Sequence, residues 1–136
     1  MDIELVAQVI AYSAVGLGVL VAGFFVLDLL TPGKLGELVM ARNPNAAVLT
    51  SGILVSLGLV LWFAIYFTGA GWDGLGDAAV YGAVGVLAQA AGFVVLDLVT
   101  PGRLGAIAEE PTLHPAAWVA AAAQLAVALV VCASLT

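Results

Sequence analysis

The amino-acid sequence predicts an all-α membrane protein, in which four transmembrane helices form two parallel tandem two-helix repeats with short interfacial helices. The composition is the first reason. Of the 136 residues, 64% are hydrophobic and only 9% are charged, whereas a soluble protein is typically about 25% charged. A soluble domain of this size leaves too much surface exposed to hide so many apolar side chains. Four long apolar segments and a repeated motif are the other two reasons.

One motif occurs twice in the chain. Residues 23–33 read GFFVLDLLTPG and residues 92–102 read GFVVLDLVTPG, so the spacing between Asp28 and Asp97 is 97 − 28 = 69 residues. Similarity at a fixed offset is typical of proteins built from repeated structural units.

The repeat also predicts how the chain is organised. We expect a first two-helix repeat over residues 1–68 and a second over residues 69–136, together forming one membrane domain. Because each repeat contains an even number of spans, both have the same orientation in the membrane, as in parallel repeats. Asp28 and Asp97 are then expected at equal depth.

Each predicted span is long enough to cross the apolar part of a bilayer, which needs about 20 residues. The first span ends at Leu30 and begins at Leu5 or Val9. The repeat favours Val9, because the third span begins at Ala78 and 78 − 69 = 9. Polar and apolar residues do not alternate as they do in barrel strands, which favours helices. The four spans are residues 9–30, 46–68, 78–99 and 116–135.

The charged residues predict the orientation of these helices. All three basic residues, Lys34, Arg42 and Arg103, lie in the connections after the first and third spans, while the opposite ends carry only acidic residues. The positive-inside rule places basic connections in the cytoplasm. We therefore expect both termini, and the connection between the second and third spans, on the outer side of the plasma membrane.

A Thr-Pro-Gly turn begins three residues after each aspartate of the repeated motif. Proline ends the preceding helix because it lacks an N–H group, while threonine before proline is also typical of a helix start. Two interpretations stay open: a short amphipathic helix in the membrane interface, or an irregular loop, which Gly36 and Gly105 would favour. The turn residues are Thr31, Pro32, Gly33, Thr100, Pro101 and Gly102.

The second and fourth spans begin with residues that commonly cap helices. Asn43-Pro44 precedes the second span and His114-Pro115 precedes the fourth. Because the two repeats differ by an insertion here, Asn43 matches either Leu113 or His114. We interpret His114, the single histidine, as a capping or surface group rather than a ligand or a proton relay.

Paired glycines mark the packing faces of the first and third spans. The two glycines of each pair are seven residues apart, which is about two helical turns, so they lie on one face. Small residues on such a face let helices approach closely in lipid. We expect a packing role rather than a functional one for these residues, which are Gly16, Gly23, Gly85 and Gly92.

Asp28 and Asp97 are the candidate functional residues. Each is the only charged residue of its predicted span, and a carboxylate inside a membrane is costly and indicates function by default. A structural alternative is that Lys34 or Arg103 reaches back to pair with the carboxylate. Three glutamines fit either a hydrated path or interhelical hydrogen bonds. They are Gln8, Gln89 and Gln124.

Several kinds of function are not indicated. A net charge of −6 lacks the basic surface expected for nucleic-acid binding. Cys132 is the single cysteine, so neither an internal disulfide nor a cysteine-based metal site is predicted. The sequence contains no recognisable catalytic constellation or phosphate-binding loop. We expect no enzymatic activity, no cofactor and no metal ion.

The repeated motif is similar to that of a known family. Both repeats contain a helix ending in Gly-Phe-x-Val-Leu-Asp-Leu-x-Thr-Pro-Gly-[Lys/Arg]-Leu-Gly, followed by an Asn- or Pro-capped helix with an Ala-Ala pair. This pattern resembles the YjfL-like family of small bacterial inner-membrane proteins of unknown function. The resemblance covers nearly the whole chain and implies a four-span bacterial plasma-membrane protein built by duplication. It implies no established activity.

Two functional hypotheses follow. The first is an oligomeric ion or proton pathway in which Asp28 and Asp97 bind or relay the cation, since four helices rich in glycine and alanine can hardly enclose a path alone. The second is a membrane scaffold that docks a cytoplasmic protein through the connections at residues 32–45 and 101–114. The lipid bilayer and further copies of the chain are the other expected partners.

Overall fold

The computed structural model of the protein describes residues 2–30, 35–68, 71–99 and 111–135. All regular secondary structure in these ranges is helical, which confirms the predicted fold class. The helices are α1 (Ile3–Leu30), α2 (Leu35–Met40), α3 (Pro44–Thr68), α4 (Asp73–Val99) and α5 (Pro115–Ser134).

Four of these helices are long and apolar enough to cross a membrane, as the sequence predicted. α1 begins before the predicted Val9 because Asp2 caps it: Asp2 Oδ1 accepts hydrogen bonds from the amides of Glu4 and Leu5 at 3.0 and 3.3 Å. Aspartate is a favourable residue at this position. α4 likewise begins before its predicted start, at Asp73.

α1 and α4 lie side by side and run in the same direction. Gly23 of α1 lies against Val86 of α4, and one turn earlier in both helices Val19 lies against Gly82. The contact offsets are therefore 86 − 23 = 63 and 82 − 19 = 63 residues. The repeat spacing is 69 residues, so α4 is displaced by six residues, or roughly 9 Å along the helix axis at 1.5 Å per residue.

Because of this displacement, the two aspartates are not level with each other along the α1–α4 contact. Asp28 and Asp97 lie near the C-terminal ends of two parallel helices, and hence near the same end of the bundle. Asp97 nevertheless lies roughly 9 Å further toward that end. The physical reason is local packing: valine side chains seated against glycines set the register of α1 on α4, and the similarity of the two sequence segments does not.

α3 is the central helix, because it packs against each of the other four. It runs antiparallel to α1: Gly23 lies next to Leu57, and Gly16, two turns earlier in α1, lies next to Ile65, two turns later in α3. α1 is the most peripheral of the long helices and buries only Gly23 and Leu27. The main core cluster consists of Leu27, Ala46, Leu49, Ile53, Leu57, Val86, Phe93 and Ala120.

The short helix α2 confirms one of the two interpretations of the first Thr-Pro-Gly turn. Leu38 and Val39 pack against the main core cluster, while Gly36, Glu37 and Met40 are exposed. This is the amphipathic pattern expected of a helix that covers the end of a bundle. The corresponding segment of the second repeat lies outside the described residues.

One end of the bundle carries Arg42 together with the exposed acid Glu37, whereas the charged residues described at the other end are all acidic. We call the end near the first residues of α1 and α4 the acidic end, and the end near Arg42 the basic end. The phenol of Tyr12 donates a hydrogen bond of 2.7 Å to the Gly71 carbonyl and so ties α1 to the acidic-end connection. The described acidic residues at the acidic end are Asp2, Glu4, Asp73 and Asp77.

Candidate functional site

Asp97 lies on the buried face of α4. The side chain is only 8% exposed, and Phe93, one turn earlier, is 1% exposed. Gln89, one further turn earlier, is fully buried. Residues four apart share a helix face. The interior stripe of α4 therefore carries an aspartate and a glutamine whose backbones are roughly 12 Å apart along the helix axis, with Phe93 between them.

Asp28 has a different environment. It is half-buried and lines an open groove of about 520 Å³ between α1 and α2. The other residues along this groove are Phe24, Phe25, Gly36, Glu37 and Met40. The structure therefore places both candidate aspartates near the basic end without bringing them together: Asp97 faces the interior, whereas Asp28 faces a lateral groove.

Gln89 joins α4 to α5. Its Nε2 group donates hydrogen bonds to the Gln124 side-chain oxygen at 2.7 Å and to the Gln124 main-chain carbonyl at 2.9 Å. Both side chains are fully buried. Of the two uses considered for the glutamines, interhelical hydrogen bonding is confirmed for this pair.

Ser56 of α3 lies at the same level as Gln89. Gly85 of α4 packs directly against Val60 of the antiparallel α3. One turn onward in α4 leads to Gln89, and one turn back in α3 leads to Ser56, which is fully buried. Ser56 is also the central residue of α3, since 56 − 44 = 12 and 68 − 56 = 12.

We call Ser56, Gln89 and Gln124 the polar triad. Each retains one buried polar atom with no hydrogen-bond partner among the described residues: Ser56 Oγ, Gln89 Oε1 and Gln124 Nε2. A buried polar atom without a partner costs about 1–3 kcal/mol, and most such atoms in folded proteins are satisfied. The polar triad therefore needs an explanation beyond packing.

Asn45 connects the starts of α3 and α5. Its Nδ2 group donates to the Thr112 carbonyl at 2.7 Å, and its Oδ1 atom accepts from the His114 amide at 2.7 Å. The side chain is fully buried. Its partners lie 67 and 69 positions away in the chain, so this link between the two helix starts could not be read from the sequence.

The helix starts resolve the alignment that the sequence left open. Asn43 Oδ1 accepts from the Ala46 amide at 3.1 Å, and His114 Nδ1 accepts from the Ala116 amide at 3.0 Å. Proline follows both residues as the first residue of the helix. Asn43 therefore matches His114 rather than Leu113, and the interpretation of His114 as a capping group is confirmed.

We expect His114→Ala to lower the free energy of unfolding by about 1 kcal/mol, because alanine cannot accept the hydrogen bond from the Ala116 amide. His114→Asn is the matched control, since its side-chain oxygen can take the same role that Asn43 has on α3. Denaturant unfolding in detergent micelles measures both. Equal losses for the two variants would show that the cap is not what His114 contributes.

The predicted packing glycines lie at helix contacts of different closeness. Gly85 packs directly on Val60, whereas a methyl group at Gly16 would still lie 3.4 Å from the nearest atom, in Ile65. A methyl group at Gly92 would lie 2.6 Å from a Val127 methyl. Of the four predicted packing glycines, Gly85 and Gly92 are those where an added methyl group would clash most. They lie on either side of Gln89 in α4.

Several predicted residues lie outside the described part of the chain. Arg42 is described: it is exposed and follows α2 with a positive φ of 64°. Within the described ranges, His, Cys, Asp and Glu form no group of three or more that could hold a metal ion. The predicted residues outside those ranges are Thr31, Pro32, Gly33, Lys34, Thr100, Pro101, Gly102 and Arg103.

The fold and the site define a multi-pass α-helical membrane protein with polar side chains in its interior. The chain belongs to the family described as Domain of Unknown Function (DUF350), whose sequence profile matches residues 1–135. The YjfL-like label suggested by the repeated motif fits this family but is not itself confirmed.

Relatives of the chain carry the name UPF0719 transmembrane protein. The chain is 44% identical over 133 residues to such proteins of Mycobacterium bovis and Mycobacterium tuberculosis, which covers 96% of this chain and 88% of each relative. It is 40% identical over 130 residues to one of Mycolicibacterium paratuberculosis, covering 93% of this chain and 85% of the relative. No solved structure matches the chain.

Proposed function

We propose that the protein is a non-enzymatic, oligomeric cation or proton pathway of the bacterial plasma membrane, in which Asp97 and Asp28 bind or relay the cation. The observation that carries this proposal is the position of Asp97, a carboxylate 8% exposed on the interior stripe of a membrane-spanning helix. A carboxylate at such a position is costly, and acids in membrane interiors commonly line ion or proton routes.

The buried polar residues extend from the basic end of the bundle to its middle. Asn45 lies near the basic end, Asp97 near the end of α4, and the polar triad near the middle of α3. Phe93 lies between Asp97 and Gln89 and supplies an apolar partition that water must pass, as in pores that open by wetting. These residues together support a route from the basic end to the middle of the bundle.

Beyond the polar triad, the described interior of the bundle becomes apolar. The next layer toward the acidic end contains Val60, Leu61, Gly82 and Gly85 in close contact. A route across the whole membrane therefore needs either a second conformation or an interface between copies of the chain. This need supports an oligomer, in which the lateral groove beside Asp28 can face a neighbouring copy.

The orientation of the pathway rests on the charges. Arg42 lies at the basic end, and the described acidic residues of the first turns of α1 and α4 lie at the other. The positive-inside rule then places the basic end in the cytoplasm and both termini outside. Asp97 in this arrangement is the acid nearest the cytoplasm on the buried face of α4.

We expect Asp97→Asn to reduce cation or proton flux by about tenfold or more in liposomes that contain the purified protein, because asparagine cannot release or accept the proton or pair with the cation. Asp28→Asn should reduce flux less, and the double variant should abolish it. Dyes for pH, Na⁺ and K⁺ enclosed in the liposomes measure the flux.

Asp77→Asn is the matched control for this experiment, because Asp77 is an exposed acid at the other end of the same helix. Its flux should equal that of the parent protein. Unchanged flux in the double variant, or a parent protein no more permeable than protein-free liposomes, contradicts the proposed function.

A scaffold that docks a cytoplasmic protein is the second candidate. Exposure at the basic end favours it: Met40 is 85% exposed, and Glu37 and Arg42 are also exposed. Such a scaffold carries no flux. Charge reversal at Arg42 should instead abolish co-purification of a partner, and loss of the two aspartates should affect only stability.

A further inference from the structure

We infer that the polar triad holds water in the middle of the bundle and that the species carried by the pathway is a proton rather than a metal cation. This inference rests on the proposed function and specifies what is transported. It starts from three side chains on three helices, Ser56, Gln89 and Gln124, all fully buried.

The unpartnered atoms of the polar triad match a water molecule. Gln89 Oε1 can accept a hydrogen bond, Gln124 Nε2 can donate one, and Ser56 Oγ can do both. Water also donates and accepts, and buried water molecules typically make about three hydrogen bonds to groups that would otherwise be unsatisfied. The triad offers this mixed set of partners at one level of the bundle.

The same atoms do not suit a bare metal cation. Sodium, potassium and calcium ions are held by several oxygen atoms, often with carboxylates among them. The triad offers two free oxygens, carries no charge, and presents an amide N–H group whose positive end repels a cation. Among the described residues, the carboxylate nearest in the stripe is Asp97, roughly 12 Å away along α4.

The first repeat shows what plain packing would use instead. The position that matches Gln89 is Leu20, since 89 − 69 = 20. The Asn43–His114 match gives an offset of 71 for α5, so Gln124 matches Ile53, since 124 − 71 = 53. Both apolar residues lie in or against the main core cluster. The two glutamines are therefore not required to build a helical hairpin of this kind.

The chemical step is a proton transfer without change of oxidation state. An O–H bond of protonated Asp97 breaks, and the proton forms a new O–H bond on an adjacent water molecule. This water is the first of a chain of water molecules that extends past Phe93 to the polar triad. That water passes a proton to the next one, and the carboxylate takes up another proton from the basic end. Ser56 and the two amides orient the last water molecule of this chain and are themselves unchanged.

The first test observes water at the triad directly. The chain contains three glutamines, Gln8, Gln89 and Gln124, so protein labelled with ¹⁵N-glutamine gives three side-chain amide signals, each assigned by one substitution. In lipid bilayers, solid-state NMR should show magnetisation transfer from water to the Gln124 amide. Transfer to neither Gln89 nor Gln124 overturns the inference, whatever the flux measurements give.

The second test replaces the triad with its apolar counterparts. Gln89→Leu combined with Gln124→Ile should abolish proton flux while Asp97 remains in place, and Ser56→Ala should reduce it severalfold. The variant must retain the helix content and the detergent stability of the parent protein. Ser56→Ala, a smaller change, serves as the decisive variant if the double variant does not fold.

The outcomes separate this inference from the proposed function. Proton flux without Na⁺ or K⁺ flux in the parent protein, lost in the apolar variant, supports both. Na⁺ or K⁺ flux in the parent protein, or proton flux that survives in a folded apolar variant, overturns the inference and leaves the pathway intact. A parent protein without any flux overturns the proposed pathway. It also overturns the inference that the transported species is a proton.

Discussion

Gly85→Ala should lower the free energy of unfolding by about 2–3 kcal/mol, at the upper end of what overpacking typically costs. The added methyl group would overlap a methyl group of Val60, which is fully buried on the central helix. Valine has little freedom about its first side-chain torsion in a helix, so Val60 cannot turn away. The two helices must separate at the layer next to the polar triad.

Two companion variants make this expectation specific. Gly76→Ala lies in the same helix, where a methyl group would meet no atom within 4 Å, and it should be neutral or stabilising because alanine favours helices. In a Val60→Ala background, Gly85→Ala should cost little. Steric trapping in lipid–detergent bicelles measures all four free energies. A stable Gly85→Ala single variant would show that α3 and α4 are not in this close contact.

Asn45→Ala should lower the free energy of unfolding by about 1–3 kcal/mol. The substitution removes the donor to the Thr112 carbonyl and the acceptor for the His114 amide. Thr112 and His114 are exposed residues, so water can partly replace the lost partners, and each hydrogen bond contributes about 0.5–1.5 kcal/mol net. The starts of α3 and α5 would then no longer be joined.

Hydrogen exchange gives this expectation a local measurement. The His114 amide should exchange much faster in the variant, while amides in the middle of α5 change little. Ser51→Ala is the matched control: Ser51 is an exposed residue of α3 whose hydroxyl donates only to the Ala47 carbonyl. If Asn45→Ala were as stable as Ser51→Ala and left the His114 amide protected, the connection between the two helix starts would be unimportant.

The sequence was informative about what each segment does alone. Apolar length predicted the four long helices, and the capping roles of Asn43 and His114 could be read from the proline that follows each residue. α2 could be predicted only as one of two alternatives, because the glycine at position 36 opposes a helix while the apolar stripe through Leu38 and Val39 favours one.

The sequence was much less informative about how the segments meet. The Gln89–Gln124 hydrogen bonds join residues 35 positions apart. Ser56 is one of several small polar residues in a mainly apolar helix, and the sequence does not distinguish it from the others. The repeat spacing of 69 residues did not reveal the register of α1 on α4, where the contacts have an offset of 63. Similar sequences specify similar helices, but the fit of individual valines against glycines decides how far one helix slides along another.

The displacement of α4 along α1 is accompanied by different surroundings for the two acidic residues. The Asp28 carboxylate is half-buried and lines a groove that is open at the side of the bundle. A group enclosed between helices, such as the Asp97 carboxylate, responds to the outside only through the atoms that surround it. Two acids with matching sequence contexts therefore have different surroundings, and a substitution of one need not affect the other.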